Sequence, residues 1–171
     1  IVLARNFEFD GLFVHCDFEL PAGWEWLDGM KPEPVTTQIS ATTTLEEEDE
    51  QVAMFACPFE LAMGCTYTAD DPPPPMPSVY FQVSSLSTFD IYRVEGFGHL
   101  SIPITAGKHP VVAPTWRPTG SLRDVQKRHF VGGGPDLEEL DLVKQFKSNR
   151  RLGDEHSRRI RILNKFGLTT Q

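Results

Sequence analysis

The chain has 171 residues, 40% of them apolar with 12 Phe, enough to supply a core for one domain and to exclude a disordered chain. Its formal charge of −8 is uneven. Residues 144–165 hold eight basic residues against Asp154 and Glu155, so the remainder, with eight basic and 22 acidic residues, carries −14. A globally acidic chain does not suit nucleic acid, and no apolar run is long enough for a membrane-spanning helix. Cys16, Cys57 and Cys65 are an odd number without a C-x-x-C pair. They fit neither a disulfide framework nor a zinc ribbon, and with no glycosylation sequon they suit a reducing, intracellular location. The chain opens at Ile1 rather than Met, as expected of a piece of a longer chain.

In chain order the dominant signal is period two. Leu12, Val14, Cys16, Phe18 and Leu20 alternate with Phe13, His15, Asp17 and Glu19, which predicts a half-buried strand ended by Pro21. Asp10-Gly11 before it predicts a hairpin turn, with residues 5–9 as the preceding strand. Residues 21–34 read as a loop, 35–44 as an exposed Thr- and Val-rich strand, and the acids 46–50 as a solvated turn. Residues 52–61 predict a strand, with Pro58 marking an edge or an end. Residues 66–77, with Pro72 to Pro75 and Pro77, read as a stiff connector rather than an SH3-type ligand.

Further strands are predicted over 79–84, 89–94, 100–104 and 111–113, with Gly96-Phe97-Gly98 as a break. Short strands at regular spacing indicate an all-β antiparallel sandwich or barrel of about eight strands. Helix is scarce. Asp136 and Glu139 form a capping pattern for one or two turns, and residues 121–130 are ambiguous, with Leu122 and Val125 fitting a short amphipathic turn.

No catalytic constellation emerges. His15, His99, His109, His129 and His156 are dispersed, with no metal-ligand spacing, and are expected to be structural or solvated. There is no G-x-S-x-G, and Gly132-Gly133-Gly134 is not followed by Lys and Ser or Thr, so it reads as a chain reversal. Only Asp70 and Asp71 are paired acids in a loop, so calcium is not expected. No cofactor, small-molecule substrate or nucleic-acid partner is expected. The basic residues Lys144, Lys147, Arg150, Arg151, Arg158, Arg159 and Arg161 read as a solvated connector over 144–161, or as a weak contact with anionic lipid or an acidic partner.

Three blocks are more specific: YRVEGFGHLSIP at 92–103, TWRP at 115–118 and FVGG at 130–133. With FEFDGLFVH at 7–15, ELP at 19–21, DLEEL at 136–140 and NKFGL at 164–168, they make the chain resemble the B9 domain family. The resemblance implies a single C2-type β-sandwich domain over 1–171 without enzymatic activity. It also implies assembly with two smaller B9-domain proteins at the ciliary transition zone beside the basal body, in a gate for membrane-protein entry. Its motif residues here are Tyr92, Arg93, Glu95, Gly96, Gly98, Trp116, Arg117, Pro118, Gly132 and Gly133. The family continues past FGL into a final strand whereas this chain stops at Gln171. Either that strand lies outside the chain, or one sheet edge is open.

The motif residues also have a reading of their own. With Tyr92 and Val94 inward, Arg93 and Glu95 face water or a partner. Phe89 and Ile91 favour the opposite phase, which predicts a bulge between Ile91 and Tyr92. Trp116 is expected to cap the core from a loop, and Arg117 to bind backbone carbonyls.

Overall fold

The structure, a computed structural model, describes residues 1–45, 50–67, 72, 74–118 and 121–134, and the backbone of 159–166. The elements in order are β1 (Leu3–Arg5), β2 (Leu12–Glu19), β3 (Trp24–Trp26), β4 (Val35–Thr36), β5 (Thr42–Leu45), β6 (Glu50–Met54), β7 (Met63–Cys65), β8 (Ser78–Leu86), β9 (Tyr92–Ser101), β10 (Gly107–Pro114), α1 (Leu122–Phe130) and β11 (Arg159–Phe166). One sheet has the order β10-β11-β1-β6-β5, a second β4-β2-β8-β9, and β3 and β7 form a two-stranded ribbon. All ladders are antiparallel.

The two large sheets face each other. Leu12, Val14, Cys16 and Phe18 from β2, with Val79, Phe81 and Val83 from β8, form one core with Ala4, Ala53, Phe55 and Ala113 on the opposite side. The period-two reading of β2 is confirmed: its core positions are all buried, its other positions half-buried or exposed. Burial also pushes the Cys16 thiol up to about 12, whereas Cys65 is exposed.

Asp10-Gly11 does not close the expected hairpin. β1 ends at Arg5, Asn6 turns the chain at φ 59, and β1 pairs with β6 and β11 rather than β2. Gly11, at φ +67, lies so close to β8 that an added Cβ would be 2.2 Å from the Leu86 carbonyl oxygen. Asp10 Oδ1 accepts from the Gly11 and Thr42 amides at 2.7 and 2.6 Å, which holds its carboxyl below the usual carboxylate range. Here Asp-Gly carries the chain from one sheet to the other.

The strand expected over 35–44 divides for the same reason. Thr37 and Ser40 bond to Val14 and Leu12 of β2, and β5 then joins β6 in the other sheet. The strand expected over 52–61 ends at Met54, where Ala56 at φ 48 turns the chain. Residues 21–34 were read as loop, yet three of them form β3.

The expected break at Gly96 to Gly98 is absent; β9 passes through it. The glycines serve close approach instead. A Cβ on Gly98 would meet the Phe81 ring at 2.5 Å and the Pro114 carbonyl at 2.9 Å. The strand expected over 111–113 is longer and pairs along its length with β11. The ambiguous stretch 121–130 is a nine-residue helix opened by a capping box between Ser121 and Asp124. The capping pattern at Asp136 and Glu139 lies outside the described residues. The connector expected over 144–161 overlaps β11, which starts at Arg159.

Two measurements test this core. Phe18→Ala is expected to cost about 3–5 kcal/mol in urea unfolding. Glu19→Ala, which the alternation alone makes nearly neutral, is expected to cost about 1–3 kcal/mol, because Glu19 accepts from the buried Tyr80 hydroxyl at 2.5 Å. Alkylation of the native protein at mildly alkaline pH should label Cys65 readily and Cys16 only after unfolding, since the buried thiol stays protonated there. Equal labelling rates would show that β2 does not face the core.

Candidate functional site

The motif residues meet where β9 runs past α1. In the β8–β9 ladder Val83 opposes Gly96 but Ser84 opposes Val94, so Glu95 has no partner on β8. This is a bulge, three residues beyond its expected place, and it reverses the expected phase. Arg93 opposes Ser85, which opposes Leu12, so Arg93 lies on the core face of the sheet. Arg93 is 5% and Glu95 0% exposed, whereas Tyr92 is 39% exposed. The reading that Arg93 and Glu95 face water is therefore corrected: both point into the closed end of the sandwich.

A buried carboxylate needs partners. Glu95 Oε1 accepts from Ser85 Oγ at 2.9 Å, and Oε2 accepts from Arg128 Nη2 at 2.6 Å. Arg128 also donates to Glu8 at 3.0 Å, and Arg117 Nη1 lies 3.7 Å from both Glu8 and Glu95. Arg117 thus forms ion pairs with these carboxylates. Backbone carbonyls are bound by Arg93, whose Nε and Nη2 donate to the Arg128 and His129 carbonyls at 2.9 and 2.7 Å. These carbonyls belong to the last turn of α1, where helix acceptors are otherwise unpaired. Phe9 completes the cluster, with the Arg93 guanidinium 4.3 Å and that of Arg128 5.1 Å from its ring centroid.

The remaining motif residues build the surroundings. Gly132, at φ +89, sits where a Cβ would be 2.4 Å from the Tyr92 carbonyl oxygen. That close approach lets the Gly133 amide donate to the same oxygen at 2.7 Å. Trp116 exchanges both backbone bonds with Phe97 at 2.8 Å and packs tilted against its ring, with centroids 5.8 Å apart, so it caps a small second cluster of Tyr80, Val94 and Phe97. Gly96 leaves room for Thr115, 3.3 Å from an added Cβ. Pro118 is exposed after this bridge. The Tyr92 hydroxyl is bonded by Gln82 and Ser84.

Glu8, Phe9, Ser85 and Arg128 were missed by sequence reasoning. The only signals for them were the FEFDG block and the Lys127-Arg128-His129 run at a helix C-terminus. Of the basic candidates, Lys144, Lys147, Arg150, Arg151 and Arg158 lie outside the described residues. Arg159 and Arg161 sit in β11, between β10 and β1. Among the described residues no group of three or more His, Cys, Asp or Glu could hold a metal ion. No described helix is long and apolar enough to cross a membrane. The arrangement can fasten α1 to the sheet through Arg93 and Arg128.

The B9-C2 family profile, described as "Ciliary basal body-associated, B9 protein", matches residues 1–162. The chain belongs to the B9 domain family. Human "Tectonic-like complex member MKS1" is 33% identical over 183 aligned positions, covering 100% of this chain and 29% of that protein. Human "B9 domain-containing protein 2" is 30% identical over 152 positions, covering 89% of this chain and 80% of that protein, and its Xenopus laevis counterpart is 26% identical. This B9 domain therefore spans under a third of the length of its MKS1 relatives. No solved structure matches it.

The polar cluster of the B9 domain is tested by breaking it from each side. Glu95→Ala should cost about 3–5 kcal/mol in urea unfolding, because it removes the fully buried carboxylate to which Arg128 Nη2 and Ser85 Oγ donate, leaving Arg128 with the half-exposed Glu8 as its remaining carboxylate. Arg93→Lys should speed amide exchange in the last turn of α1 with a smaller loss of global stability, since an ammonium does not reproduce the planar two-carbonyl contact. Unchanged exchange there would mean that Arg93 does not hold the helix.

Proposed function

We propose that this B9 domain is a non-catalytic scaffold module of the cilium base, at the basal body and transition zone. It assembles with two smaller B9-domain proteins into a complex required for ciliogenesis and for gating membrane-protein entry. The observation that carries this reading is the inward turn of the motif's charged residues. Arg93, Glu95 and Arg117 spend their charge on Glu8, Arg128 and the end of α1, as fold-building groups rather than groups poised to react. The family's description as ciliary basal body-associated, and the naming of the human relative as a member of a Tectonic-like complex, support the location and the assembly.

Docking on anionic lipid through the basic segment is the weaker reading. Both edges of β11 are paired, so Arg159 and Arg161 belong to a sheet and not to a free basic connector.

Size-exclusion chromatography of the domain with each of the two smaller B9-domain proteins tests the proposal. A stable co-eluting complex is expected, insensitive to added liposomes. A folded domain that stays alone in both mixtures, yet sediments with anionic vesicles in low salt, would replace the scaffold reading with the lipid one.

A further inference from the structure

Pro72 and residues 74–77 belong to a proline-rich run beside the β3–β7 ribbon. Pro72, Pro74 and Met76 each precede a proline, which steers their backbone away from helix and into the extended polyproline II form. That form has three residues per turn, so residues three apart share an edge. Burial follows this period. Pro74 is half-buried and Pro77 buried, whereas Pro72 and Pro75 are exposed, and Met76 beside them is 51% exposed. One edge of the run therefore serves the fold and another faces outward.

The run is fastened by its backbone. The Ile102 amide donates to the Pro77 carbonyl at 2.8 Å, and Trp24 Nε1 donates to the Pro75 carbonyl at 2.9 Å. Trp24 lies in β3, which its ladder with β7 holds in place. The rings of Pro72 and Pro75 take no part in these bonds. The stiffness expected of this connector thus has a second consequence. An extended segment already held in one form loses little conformational freedom when something binds to it.

The chemistry of the outward edge selects the partner. Two proline rings and a thioether offer flat apolar surface that packs on aromatic rings. Residues 32–92 contain no lysine or arginine, so the run brings no cation of its own to an acidic pocket. Recognition then rests on ring packing, and a shallow groove lined by Trp and Tyr, as in a WW domain, supplies it.

We propose that the outward edge bearing Pro72, Pro75 and Met76 is a docking ligand for the aromatic-lined groove of a WW-type domain in a partner protein, held in its binding form by Trp24. This goes beyond the scaffold reading, which concerns B9-domain partners, and it uses none of the residues that carry that reading.

The probe is an isolated WW domain of the class that takes uncharged Pro-Pro-Leu-Pro peptides, titrated into the full 171-residue chain with backbone amide and indole resonances as the readout. Saturable shifts at Met76, Ser78 and the Trp24 indole are expected, insensitive to salt and reversed by excess Pro-Pro-Leu-Pro peptide. Replacing both exposed rings, by Pro72→Ala with Pro75→Ala, should weaken binding about tenfold or more. The folding of that variant is read from the core resonances of β2 and β8. Trp24→Phe keeps an aromatic ring but loses the indole N–H; it should weaken binding about threefold and speed amide exchange at Met76. Absence of shifts at Met76, binding unchanged by the double alanine variant, or shifts that the peptide does not reverse would overturn the site. Equal binding and exchange in Trp24→Phe would overturn the part given to Trp24.

Discussion

The carboxylate of Glu95 has no contact with solvent, and the closed end of the sandwich is arranged around it. An ionised group in that position is tolerated only when opposite charge and hydrogen bonds replace its water. Ser85 and Arg128 do so directly, and Arg117 lies close by. Arg128 comes from α1, so satisfying Glu95 fixes where the helix sits. Arg93 then binds the carbonyls at the end of that helix, and Phe9 lies under both guanidiniums. Removing the carboxylate takes away the fully buried partner of Arg128 and leaves it the more exposed Glu8.

The bulge on β9 makes this geometry possible. One extra residue between Val94 and Gly96 puts the Glu95 side chain beside Ser85, and the ladder resumes in step with Val83. The glycines on either side of the bulge in space serve the same end. Gly98 admits Phe81 and the Pro114 carbonyl, and Gly132 admits the Tyr92 carbonyl. The motif is thus a set of spatial requirements: small residues where backbones approach, and charged residues where a helix must be fastened without an apolar face. α1 buries none of its residues. A helix of nine residues is marginal by itself, and here a capping box at one end and Arg93 at the other hold it.

Such a domain presents surfaces and edges. The charge of Arg93 and Glu95, which the sequence suggested would face water or a partner, is spent inside the fold.

Period-two alternation determined an antiparallel all-β fold from sequence, with the sandwich implied by the family resemblance, and it fixed the core face of β2 residue by residue, because alternation depends only on neighbours along one strand. The YRVEGFG, TWRP and FVGG blocks determined the family. Strand partners were not legible. Asp10-Gly11 has the composition of a hairpin turn, but whether two flanking strands pair or part into different sheets depends on β6, β8 and β11, far away in the chain. The phase of β9 was misread for a related reason. A bulge inverts the side-chain faces, and its position is set by the register with β8 and by the need of Glu95 for Ser85 and Arg128. Arg159 and Arg161, at the end of the basic run over 144–161, looked like part of a connector because charge was the only local signal; pairing with β1 and β10 places β11 inside a sheet. What only the tertiary structure decided was which charges are buried, since burial is a property of the neighbours a residue acquires and not of the residue.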